Sequence, residues 1–230
     1  QGTLGQFVEV LFVISGFVVY LPTVAREGDF GSVLSYAIRR AARLIPAYWL
    51  ALSICLVLIW LFPLSPMTQL PGISEIATNF AGAQVLRSFF VDFPMGFGLD
   101  GPVWTLSLEV TFYLILPFIA AVYFRRPWAG LLIALAITAL WKSGLNEITW
   151  INGQLGLGIS PEQQFRMVVS GASQFPSWAF SFALGMTGAW AYVKILRREL
   201  RLPRSARFIQ PVSFIALVFF AYLLGYKASQ

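Results

Sequence analysis

The chain has 230 residues, 58% of them hydrophobic and 11% charged, with a net charge of +6 and a mean hydropathy of +0.74. Soluble domains carry about a quarter charged residues, so this chain lacks the polar groups to cover a water-facing surface. With no histidine and only one cysteine, Cys55, it builds no Ser-His-Asp triad, no disulfide framework and no thiolate metal site of its own.

Six apolar runs approach the length of about 20 residues that a bilayer span needs. They cover residues 7–24, 44–62, 103–124, 128–145, 178–196 and 211–226. The fold class read from this pattern is all-α, a polytopic transmembrane helical bundle with about six spans. The first run carries Glu9 near its start and Ser15-Gly16 near its middle. Gly16 falls on the face of Glu9, seven residues on. The Ser15-Gly16 pair reads either as a site of tight helix packing or as a thin place where a substrate crosses the bundle.

The second run is preceded by a basic segment, 25–43, with Arg26, Arg39, Arg40 and Arg43. If that segment is helical, Arg39 and Arg43 are four residues apart and Arg40 and Arg43 three, so their guanidinium groups cluster on one side. Arginine forks bind phosphate bidentately. The same cluster would also serve as a topology anchor against anionic lipid. Segments 63–102 and 146–177 are long, poor in charge and rich in Gly, Pro, Phe and Trp. They read as half-buried or re-entrant cover rather than solvated linkers, and 84–97 is apolar enough to lie in the interface.

The third run places Glu109 about six residues, or ~9 Å, inside the span. A charge at the centre of a span costs about 2.5–3.5 kcal/mol on insertion scales, so it normally faces protein or water. Phe112 and Tyr113 follow three and four residues later on the same face. A carboxylate beside a phenol orients a hydroxyl substrate, or it merely holds two helices together; the residues alone leave both readings open. The fourth run is the weakest, being interrupted by Lys142. The segment 194–210 has six irregularly spaced cations against Glu199 and reads as plain anchoring.

Every second connecting segment is basic. Arg26, Arg39, Arg40, Arg43, Arg125, Arg126 and the cations of 194–210 fall on one side; Arg87, Lys142, Arg166 and Lys227 fall on the other. The basic side is then cytoplasmic and the start of the first run extracytoplasmic. This accounts for the net charge without nucleic acid. No Walker loop, dinucleotide fingerprint or metal-ligand spacing is present. No internal repeat points to an inverted-repeat transporter.

Three motifs together resemble the acyltransferase-3 family of membrane acyltransferases, which modify cell-surface sugars and other acceptors. Residues 7–17 resemble its Gly-Val-(Asp/Glu)-x-Phe-Phe-x-x-Ser-Gly-Phe span. Arg40, Arg43, Leu44, Pro46 and Tyr48 resemble its Arg-x-x-Arg-Leu-x-Pro-x-Tyr motif. Trp104 to Tyr113, followed by Pro117, resembles its Trp-Ser-Leu-x-x-Glu-x-x-Phe-Tyr motif. Thr105 stands where the family usually has Ser, which keeps the hydroxyl, and Leu11 replaces one of the paired aromatics.

The resemblance implies an integral, multi-pass protein of the bacterial cytoplasmic membrane. It would transfer an acyl group, commonly acetyl, from cytoplasmic acyl-CoA to a hydroxyl of an extracytoplasmic carbohydrate or cell-envelope acceptor. Acyl-CoA is then a donor substrate, with no resident cofactor. Arg40 and Arg43, with Arg39, would bind the donor. Glu109 and Tyr113 would orient the acceptor, with Glu9 and Ser15 along the same polar path. In that arrangement the arginines face the cytoplasm, the two glutamates lie in the outer half, and Ser15-Gly16 lies between. The family usually has about ten spans and a presumed catalytic histidine in a preceding helix. The 230 residues therefore read as a partial acyltransferase domain, inactive by itself. A flippase of lipid-linked glycans and an inactive scaffold are the alternatives.

Overall fold

The structure is a computed structural model that describes residues 3–62, 70–90 and 104–199. The described residues form α-helices and one 3-10 turn, with no strand among them. Five stretches within them are long and apolar enough to cross a membrane: Val8–Ala25, Val33–Leu61, Trp104–Arg125, Pro127–Asn146 and Phe175–Leu196. This is the polytopic helical bundle that the composition requires, and the protein is an integral membrane protein. The run 211–226 lies outside the described residues, as do Arg201, Arg204, Arg207 and residues 91–97.

Helix α1 (Thr3–Ala25) ends in a tight turn and α2 (Val33–Leu61) follows. Glu27, Gly28 and Gly31 adopt positive φ in that turn. Arg26 spans it, donating from Nε to Asp29 O at 3.0 Å and from Nη2 to Phe30 O at 2.7 Å. Ser32 then caps α2 by accepting from Ser35 N–H at 3.2 Å. The basic segment 25–43 is therefore not a loop. Its second half is the first three turns of a 29-residue helix that rises about 43 Å, longer than a hydrocarbon core of about 30 Å. Charge there lowers hydropathy but not helix propensity, since arginine is a good helix former.

The long segment after α2 carries two short helices, α3 (Ile73–Phe80) and α4 (Gln84–Phe90). Helices α5 (Trp104–Arg125) and α6 (Pro127–Asn146) are joined at Arg126, with Pro127 at the first position of α6, where its missing N–H costs nothing. The second long segment holds α7 (Ile148–Leu155) and α8 (Pro161–Ala172), the latter opened by a reciprocal Ser160–Gln163 capping box. A 3-10 turn, Phe175–Trp178, leads into α9 (Ala179–Leu196).

The core lies between α1, α5 and α9. Phe182 stacks between Phe12 and Phe112, with ring centroids 4.7 and 4.4 Å away. Helices α1 and α9 meet backbone to backbone. A Cβ on Gly16 would collide with the Phe182 carbonyl, and one on Gly185 with the Val13 carbonyl. Ser15-Gly16 is accordingly not a thin place open to a substrate on its glycine side, because α9 closes it.

Tyrosines tie the helices together where no water competes for hydrogen bonds. Tyr20 Oη donates to Ala120 O at 2.9 Å, and Tyr123 Oη to Ala183 O at 2.8 Å. Tyr36 Oη donates to Tyr113 O at 3.3 Å. The last bond has a local cause. Pro117 has no N–H, so the carbonyl four residues earlier, that of Tyr113, lacks its helical donor and accepts from α2 instead. Helix α2 otherwise stands apart, burying only Tyr36, Tyr48, Leu52 and Ile59.

Candidate functional site

A cleft of about 260 Å³ lies between α1, α2 and α5. Helix α1 contributes Leu11, Ile14, Ser15, Val18 and Val19; α2 contributes Arg40, Arg43 and Leu44; α5 contributes Glu109 and Tyr113. Tyr113 joins its polar groups. Its hydroxyl donates to Glu109 Oε2 at 3.2 Å, and Ser15 lines the same cleft. Its ring lies 5.5 Å from the Arg40 guanidinium carbon, which is also 5.8 Å from the Tyr36 ring. Two aromatic faces thus stabilise a half-buried cation by the ring quadrupole. Two guanidinium groups against one carboxylate leave one net positive charge in the cleft. Among the described residues neither Arg40 nor Arg43 forms an ion pair. Their forks remain available to an anion, Arg40 from a half-buried position and Arg43 from an exposed one.

Of the residues that the sequence singles out, Ser15, Arg40, Arg43, Glu109 and Tyr113 meet in this cleft. Glu9 and Arg39 do not line it, and both face outward. The expected separation of donor arginines from outer-half carboxylates also changes. Arg40 packs on Tyr113, one helical turn from Glu109, so the two halves of the expected path are one site. The reason is that the helix holding the arginines begins at Val33 and carries Arg40 into the bundle instead of leaving it in a surface loop.

Three features add to the site beyond the roles that the sequence assigned. Tyr36 braces Arg40 and reads out the carbonyl freed by Pro117; that proline within an apolar helix was the available signal. Tyr48 donates to Asn79 O at 2.5 Å and accepts from Gln84 Nε2 at 3.2 Å, which fastens α2 to the α3–α4 segment beside the site. Ser107, 6% exposed, has no hydrogen-bond partner for its Oγ. Nothing in its sequence context marks it. Among the described residues no group of three His, Cys, Asp or Glu side chains is placed to hold a metal.

The acyltransferase-3 family model, described as an acyltransferase domain, matches residues 3–229. The chain belongs to the acyltransferase-3 family. Neither the curated proteins nor the solved structures returned a match. The acyltransferase-3 domain is thus a membrane acyltransferase domain whose family-motif residues fall into two groups. Ser15, Arg40, Arg43, Leu44, Glu109 and Tyr113 line the cleft, while Phe112 and Tyr48 fix the helices that carry them.

Proposed function

We propose that this acyltransferase-3 domain transfers an acyl group, acetyl in the simplest case, from cytoplasmic acyl-CoA to a hydroxyl of a carbohydrate or cell-envelope acceptor across a bacterial inner membrane. The observation that carries the reading is the convergence of two unpaired guanidinium groups, a carboxylate–phenol pair and a serine hydroxyl in one cleft. Arg40 and Arg43 suit the anionic part of the donor. Glu109 and Tyr113 suit an incoming hydroxyl, which the carboxylate orients by accepting its hydrogen bond. The acceptor oxygen attacks the thioester carbonyl carbon, the C–S bond breaks, and the CoA sulfur leaves with the electron pair and is protonated. The hydroxyl proton passes to a base; Glu109 is the carboxylate at hand in this chain, and the family resemblance implies a histidine from a preceding helix in that role. The basic segments would lie in the cytoplasm, on the donor's side.

The test uses the full-length protein in vesicles with radiolabelled acetyl-CoA. Arg43→Ala raises the KM for acetyl-CoA at least about tenfold, the loss expected of one charged hydrogen-bonded contact. Glu109→Gln lowers kcat by about 10²-fold or more, the range of a positioned proton-transfer group. An unchanged KM in the first variant removes the donor-site assignment. Normal product yield from the second at normal expression reduces Glu109 to a packing residue.

A further inference from the structure

Of the buried residues of α2, Tyr36 is the one beside the arginines; Tyr48, Leu52 and Ile59 follow further along. The second half of α2 is fastened to the α3–α4 segment, where Trp49 Nε1 donates to Phe80 O at 3.0 Å and Tyr48 Oη to Asn79 O. Tyr36 lies four residues before Arg40, on the same face of the helix. Its ring packs on Phe30 of the α1–α2 turn, with centroids 4.8 Å apart. On its other side it meets the Tyr113 ring at 83°, with centroids 6.4 Å apart. The two tyrosine rings form a corner, and the Arg40 guanidinium carbon lies 5.8 and 5.5 Å from their centroids. One wall of the corner belongs to α2 and the other to α5. The seat of Arg40 therefore depends on how α2 approaches α5 at this level.

The hydrogen bond from Tyr36 Oη to Tyr113 O sets that approach. Its acceptor is free because Pro117 supplies no N–H. A proline inside a helix costs stability, and here the cost leaves one carbonyl open at the level of the arginines. Neither Tyr36 nor Pro117 lines the cleft, so both act on it through Arg40 and Tyr113.

We propose that Tyr36 and Pro117 are positioning residues for the donor. The carbonyl that Pro117 frees captures the Tyr36 hydroxyl, and Tyr36 holds the Arg40 guanidinium where it meets the donor's anionic group. This role rests on the donor-site part of the acyl-transfer reading. Its consequence is that stability and donor affinity separate at residue 117. Pro117→Ala returns an N–H to the Tyr113 carbonyl, so α5 gains a backbone hydrogen bond while Tyr36 loses its acceptor and Arg40 its support.

The test uses the full-length protein in lipid nanodiscs. CoA binding is measured by titration calorimetry, the thermal midpoint by tryptophan fluorescence, and KM and kcat with radiolabelled acetyl-CoA. Tyr36→Phe keeps the ring on Phe30 and removes the hydroxyl. It weakens CoA binding and raises KM about fivefold, the worth of one hydrogen bond. Its kcat changes by less than about twofold, because the Tyr113 hydroxyl still meets Glu109. Pro117→Ala weakens CoA binding by the same factor and keeps or raises the midpoint. The double variant binds CoA no worse than either single one, since both changes break the same bond. Tyr20→Phe removes a similar tie, to Ala120 O, away from the cleft; it lowers the midpoint and keeps CoA affinity. Unchanged CoA affinity in either Tyr36→Phe or Pro117→Ala, with Arg40→Ala still weakening binding about tenfold, overturns the proposal and leaves the donor site standing. Additive losses in the double variant overturn it as well, and so does a loss in Pro117→Ala that comes with a lower midpoint. CoA binding indifferent to Arg40→Ala removes the donor-site reading and the proposal together. The expected pattern of CoA affinities without acyl transfer in any variant keeps the positioning role and removes the transferase reading.

Discussion

Tyr113 makes the shape of the cleft depend on one side chain. Its hydroxyl meets Glu109, its ring supports Arg40, and its carbonyl takes the Tyr36 hydrogen bond. Tyr113→Phe keeps the ring and the carbonyl and removes only the hydroxyl. A hydrogen bond to a charged group is worth about 1.5–3 kcal/mol, so kcat falls at least about tenfold. The KM for acetyl-CoA changes far less, because the ring still supports Arg40. Steady-state kinetics with acetyl-CoA and the acceptor in excess separates the two effects, and an equal change in both constants would show that the hydroxyl only holds the fold. The residue types at the site were legible in the sequence, since ionisable groups inside apolar runs are expensive and need a reason. Their convergence was not. Glu9 illustrates the limit. It lies six residues from Ser15 on α1, about 120° round the helix, and falls on the side away from Leu11, Ser15 and Val18, which line the cleft. Arg39, only about 40° from Arg43 round α2, still lies outside the cleft and faces outward.

At the scale of elements, the pairing of α1 with α9 is decided by two glycines that let backbones touch. Gly185→Val places a Cβ against the Val13 carbonyl and the Phe17 amide nitrogen, neither of which yields as a flexible side chain would. The cost falls in the range of core overpacking, about 1–3 kcal/mol or more. Thermal unfolding in detergent, followed by tryptophan fluorescence, is expected to show a clear fall in midpoint. Gly188→Ala is the control, because a Cβ there meets only the Phe17 ring at 3.5 Å, an ordinary van der Waals contact. An equal effect of both substitutions would show that helix propensity, not close approach, governs the site. The long segments between spans show the reverse limitation of sequence reading. Helices α3, α4, α7 and α8 have 7–12 residues each, too few for a periodic pattern to stand out. Bonds from distant residues tie two of them in place, Gln174 Nε2 to Val85 O of α4 at 2.6 Å and Trp141 Nε1 to Gly171 O of α8 at 2.9 Å.

For the whole molecule, orientation follows from charge and is open to direct test. In a Cys55→Ser background, a single cysteine at Glu27, in the α1–α2 turn, and another at Glu147, between α6 and α7, occupy opposite ends of the bundle. Both positions face outward. A membrane-impermeant maleimide added to intact cells labels the Glu147 position, and the Glu27 position reacts only after permeabilisation. The opposite pattern would invert the bundle and put the arginine cluster on the outer side, away from a cytoplasmic donor. The turn itself tolerates change. Arg197 pairs with the largely exposed Glu27 at 2.8 Å, and exposed pairs contribute little to stability.

What the sequence by itself determined is the solvent and the class of fold. Charge is too scarce for water, and in a bilayer every backbone polar group must be satisfied within the chain, so apolar runs of this length become helices. It also marked Ser15, Glu109 and Tyr113, because polar groups inside such runs stand out against their surroundings, and Arg40 and Arg43, because helical spacing clusters them just before one. Only the tertiary structure decided that these five share one cleft, that Gly16 is closed by α9, and that the buried Ser107 hydroxyl is left without a hydrogen-bond partner. Those outcomes depend on how helices rotate and approach one another. Rotation and approach are set by side chains far apart in the chain, the Gly16 and Gly185 contacts and the carbonyl released by Pro117 among them, and no local pattern encodes such pairings.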